Sequence, residues 1–137
     1  MNYSELKNKH AEEFNSFPIA FAFSSSQFIE AMEKLGLNPS ETDKVCKVMG
    51  GGIIRKSDSK KLEDMFKRHE AERNMAMATS DKYIESMFSY ELANHEYGYT
   101  MDATDTLEAL GLTADEIKKD ARLLKGFNEA VSKVSFD

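Results

Sequence analysis

Apolar positions recur at helical spacing from the start of the chain. Tyr3, Leu6, Lys7, His10, Ala11 and Phe14 share one side of 3–15, with Glu12 and Glu13 turned outward. Pro18 ends that helix, because its ring and missing N–H cannot continue the ladder. The period then shortens. Across 17–23, Ile19, Phe21 and Phe23 alternate with Ala20 and Ala22, which predicts a strand covered on both faces. Ser24 and Gln27 have capping-box spacing and predict a helix from about Ser25 to Leu35, with Phe28, Ile29, Met32 and Leu35 buried. Gly36 is the expected left-handed residue beyond its end, and 37–40 reads as a turn. Val45, Val48, Ile53 and Ile54 flank Gly50-Gly51-Gly52, the pattern of two short strands around a glycine turn.

Helical spacing returns at Ser57 or Asp58 and persists to about Tyr97. Ser80 can cap a second helix there, yet the apolar stripe keeps its phase across 79–81, so one long helix or two fit the pattern. Leu62, Met65, Phe66, Ala76 and Met77 fall on the buried face of the first part. Past Gly98, a short helix capped by Asp102 or Thr104 ends at Leu110 and Gly111. Thr113 and Glu116 form a capping box that opens a last helical region over 114–134, interrupted near Lys119-Asp120. The sum is an α+β fold, a small sheet of about three strands packed against four to six helices, as one domain over 1–137.

Composition narrows the classes. Hydrophobic residues at 41% and charged residues at 31% are those of a folded globular chain. A net charge of −6 disfavours nucleic acid as a direct ligand but suits a protein that occupies a basic partner surface. The lone Cys46 rules out an internal disulfide and a cysteine-only metal cage, and reads as a small core residue. The amino terminus lacks an apolar signal segment, and no run reaches the ~20 residues of a spanning helix, so the expectation is a soluble, cytoplasmic protein with no membrane partner.

Three groups of residues carry candidate chemistry. On a helical wheel Glu91 and His95 fall inside the apolar arc of 81–97, and His69 and Arg73 inside that of 58–78, each pair four residues apart. If those helices form a hairpin, the four share one environment. Two histidines and a carboxylate suit zinc or another divalent metal, or acid–base work near neutral pH. The same four residues also suit an internal ionic network, which carries the greater weight because no fixed metal-ligand spacing is present. Second, Asn94, Glu96, Tyr97, Tyr99, Asp102 and Asp105 concentrate aromatic and acidic groups at a turn suited to protein recognition; the plainer reading has Gly98 ending the helix there. Third, Gly50, Gly51 and Gly52 with Arg55 and Lys56 could cradle an anion, although P-loop spacing is absent and a flexible hairpin tip with solvated charges explains them better. Met75, Met77 and Met87 read as core fillers.

Residues 90–113, YELANHEYGYTMDATDTLEALGLT, together with 17–24, 50–59 and 65–70, resemble a family of small uncharacterised accessory proteins of phages and mobile elements. The family has no assigned activity, so the resemblance brings no catalytic positions. What it implies is context: a non-enzymatic accessory module that binds a host protein, such as an anti-CRISPR-like inhibitor of a defence nuclease. The alternative is a metal-dependent or acid–base enzyme built on His69, Glu91 and His95.

Overall fold

Local capping signals set most of the element boundaries in the computed structural model, which describes residues 1–136. The order is α1 (Tyr3–Asn15), β1 (Ala20–Phe21), α2 (Ser25–Lys34), β2 (Val45–Val48), β3 (Gly52–Arg55), α3 (Ser59–Thr79), α4 (Asp81–Asn94), α5 (Tyr97–Thr100), α6 (Thr104–Leu110), α7 (Ala114–Lys119) and α8 (Ala121–Ser132). Short 3₁₀ turns flank β2 and β3. The fold is α+β. Its described residues hold eight α-helices, more than the four to six expected, because caps cut long periodic stretches. Ser80 accepts the Tyr83 N–H at 3.1 Å and separates α3 from α4, so 58–97 is two helices. Asp120 accepts the Arg122 and Leu123 N–H groups and separates α7 from α8. Thr113 and Glu116 complete a reciprocal capping box.

Two Leu-Gly-Leu sequences end helices by the same means. Gly36 and Gly111 take φ of +75° and +67°. The Leu37 N–H reaches Met32 O at 2.8 Å and the Leu112 N–H reaches Leu107 O at 3.0 Å, so both are Schellman endings. At Ser24 the capping box is only half formed. Ser24 accepts the Gln27 N–H, but Gln27 Oε1 accepts from Phe23 N at 2.7 Å, one residue further back.

The chain forms two compact units, one of Met1–Lys9 with everything from Glu72 onward, the other His10–Ala71. In the second, an antiparallel sheet has strand order β1-β3-β2, with Ala20 opposite Ile53 and Cys46 opposite Ile54. Alternation sends successive residues to opposite faces. Ala20 and Ile53 pack with Ala31 of α2 and its C-cap Leu35, whereas Ile19 and Ile54 pack with Leu62, Phe14 and Cys46. The strand expected over 17–23 is shorter and less covered than its alternation predicts. β1 is a two-residue edge strand, and Phe21 and Phe23 are 49% and 75% exposed. Ile29 of α2 and Phe66 of α3, both assigned to buried faces, are also open to solvent.

In the first unit the core centres on α4. Ile84, Phe88 and Leu92 are fully enclosed, joined by Tyr83 and Met87 and by Leu6, Ile117, Leu123 and Ala130. The Phe127 ring of α8 meets Phe88 edge-on at 5.3 Å. Gly126 permits that approach, since a Cβ there would lie 2.5 Å from Ile84 Cγ2. Met77 and Met87 pack into this core as expected; Met75 is 64% exposed and does not.

Candidate functional site

Glu91 is the most chemically loaded residue of α4. Its side chain is 2% exposed, so it must be paired to stay charged. Helical spacing supplies the pairing. Tyr3 and Lys7, four apart on one face of α1, both donate to Glu91 Oε1, at 2.9 and 3.0 Å. His95, four residues on, places Nε2 3.2 Å from Oε2, an ion pair when the ring is protonated, though without hydrogen-bond alignment. The Glu91 backbone carbonyl accepts from the buried Thr106 hydroxyl at 3.2 Å. Around this acid the Tyr3 ring lies 5.9 Å from Tyr83 and 5.4 Å from Tyr90, and the Lys7 ammonium sits 4.9 Å from the Tyr90 ring centre.

The electrostatics follow from these contacts. Burial pushes the Glu91 carboxyl up, but the bonds from Lys7 and Tyr3 outweigh it and hold the group below the ordinary carboxylate range. Burial, and then the bond to Glu91, raises the Tyr3 phenol. The result is a carboxylate ionised at neutral pH and ringed by donors, which ties the start of α1 to α4.

His69 belongs to a different group. Its Nε2 lies 3.2 Å from Glu13 Oε2, and its ring stacks on His10 at 3.8 Å and 14°. Arg68 donates to both Glu13 oxygens. The bond from Arg68, with that of His69, pulls the Glu13 carboxyl down to about 2. The expected constellation of His69, Arg73, Glu91 and His95 is therefore resolved differently. Glu91 and His95 meet; His69 takes Glu13 as its partner; Arg73 is exposed, because the stripe along α3 buries only Leu62 and His69. Sequence reasoning missed Tyr3, Lys7, His10 and Glu13 as partners. For Tyr3, Lys7 and His10 the signal was present, as polar residues within the apolar stripe of α1, the same anomaly that singled out Glu91 on α4; Glu13, expected to turn outward, instead meets Arg68 and His69 of α3. Among the described residues no group of three or more His, Cys, Asp or Glu side chains is arranged to hold a metal ion.

The Tyr-rich turn has a defined shape. α4 ends at Asn94 and His95 caps it, and the left-handed residue that follows is Glu96, at φ 56° and ψ 37°. Gly98 therefore does not end the helix. It lies inside α5, where a Cβ would fall 2.3 Å from the Ser135 carbonyl oxygen. Met101 closes α5, also left-handed at φ 56°. Of the six residues assigned to this turn, Tyr97 turns inward against Phe136 at 6.0 Å. Asp102 is occupied by the Thr104 N–H and hydroxyl at 2.9 and 2.6 Å, which lower its carboxyl. Asn94, Asp105, Glu96 and Tyr99 are exposed, Tyr99 at 76%. Glu96 and Tyr99 border an open cleft of about 670 Å³ whose other walls include Leu92, Ala130, Lys133 and Val134.

The glycine hairpin does not assemble an anion cradle. Gly50 and Gly51 form the tip at φ of +74° and +79°, and the Phe23 ring covers Gly51. Arg55 ends β3 and Lys56 follows it, roughly 10 Å from the tip at strand rise. Arg55 is also committed, donating to Asp58 at 2.9 Å.

A family model matches residues 2–133. The chain belongs to the DUF7659 family. DUF7659 is described as a family of unknown function, so membership confirms an uncharacterised family and brings no activity with it. No curated protein and no solved structure matches this member. Among the described residues no helix is long and apolar enough to cross a membrane.

Proposed function

We propose that this DUF7659 member is a non-enzymatic binding module that engages a protein partner through the 94–102 turn. The observation that carries the reading is the pair of left-handed non-glycine residues, Glu96 and Met101, that bracket α5. Non-glycine residues adopt that conformation at a cost, and such strain gathers where a segment must present a fixed shape. Here the shape displays Tyr99 at 76% and Met101 at 69% exposure, beside the carboxylates of Glu96 and Asp105. Exposed aromatic and methionine side chains are enriched at protein interfaces, with tyrosine among their strongest anchors. The net charge of −6 favours a basic partner surface. The resemblance to phage and mobile-element accessory proteins supports a host protein in that role, such as a defence nuclease whose nucleic-acid surface is basic.

Affinity capture from a lysate of the host cell tests this. A protein retained by the natural chain and lost with Tyr99→Ala is the expected result. Identical capture by both chains sinks the reading.

A further inference from the structure

We infer that the cleft beside the turn receives an arginine side chain of the partner; this rests on the protein-binding reading above. The charges at the cleft are not balanced by their number alone. Lys133 is already neutralised, since it pairs with Glu85, and that bond lowers Glu85 and raises Lys133. Among the described residues the Glu96 carboxylate has no hydrogen-bonding or ion-pairing partner. That exposed carboxylate is therefore free to pair with a cation from a partner.

The surroundings specify which cation. The Tyr99 ring stands exposed at the cleft's edge and offers a flat π-face. A guanidinium stacks on such a face and pairs a carboxylate through two parallel N–H groups, whereas a lysine ammonium is a compact, strongly hydrated point charge. Ala93 and Val134 give the cleft an apolar side, suited to the methylene stem that leads to the charged head. A volume of about 670 Å³ is ample for one such side chain. Carboxylate, aromatic ring and apolar side thus supply one contact for each part of an arginine.

The test uses the full chain and three peptides, Gly-Gly-Arg-Gly-Gly and its lysine and citrulline counterparts, followed by backbone amide NMR. The arginine peptide should shift the amides of Glu96, Gly98 and Tyr99 saturably, and the dissociation constant should rise about tenfold for lysine and further for citrulline. Glu96→Gln, at an exposed position that leaves the fold intact, should weaken arginine binding about tenfold and leave citrulline unaffected. Equal binding of arginine and lysine, or of arginine to both chains, overturns the assignment. So does an arginine response confined to amides elsewhere. The two readings fail separately. If Tyr99→Ala abolishes partner capture while no arginine peptide binds, the interface stands and the occupant is wrong. If the peptide binds but capture is unchanged by Tyr99→Ala, the interface is wrong.

Discussion

Glu91 and Glu13 have nearly the same neighbours and opposite consequences. Each carboxylate stands 3.2 Å from a histidine Nε2, and each is held ionised by a cation from elsewhere in the chain. Glu91 is 2% exposed and Glu13 27%. Water reaches the Glu13 carboxylate but not that of Glu91. The same Glu–His pairing therefore makes a sealed anchor in one unit and a water-accessible carboxylate in the other.

The sharpest way to break the contrast is Glu91→Ala. It strands the Tyr3 hydroxyl, removes the acceptor of Lys7 and leaves a cavity where the buried side chain stood, with an expected loss of about 3–5 kcal/mol in urea-induced unfolding. An unchanged midpoint would mean that the pairing contributes nothing. Lys7→Met comes next. It takes the ammonium away from Glu91 and from the Tyr90 ring but leaves Tyr3 to hold the buried acid, so about 1–3 kcal/mol should go by the same measurement. Glu13→Gln should have the smallest effect. Its folded carboxyl lies at about 2, below the ordinary 4.5, so its contribution is complete above pH 4.5 and fades as pH falls towards 2. Acid titration followed by circular dichroism should show that part of the transition flattened in Glu13→Gln. In about 1 M salt the difference between Glu13→Gln and the natural chain should vanish, while that for Glu91→Ala survives.

What the sequence made legible was local. Ser80, Thr113 and the two Leu-Gly-Leu endings work within one helical turn, and their residues announce it. The partner of Glu91 was not legible, because Tyr3 and Glu91 are 88 residues apart and only packing brings them together. The same holds for His69, whose wheel position was right and whose neighbour was not. Phe21 and Phe23 show another limit: alternation reports that a stretch can form a strand, not that both faces will be covered. The left-handed Glu96 was hidden for a third reason. Gly98 was the residue best suited to that conformation, yet its missing side chain is used to let the backbone approach Ser135.

The close passage of Gly126 against Ile84 reaches beyond this one molecule. The two positions share a single allotment of space, so neither can drift independently as the lineage diverges. A descendant that gains a methyl at 126 must shed one at 84 or spread its helices apart. Correlated change at these two sites is thus the evolutionary trace that this contact should leave across DUF7659.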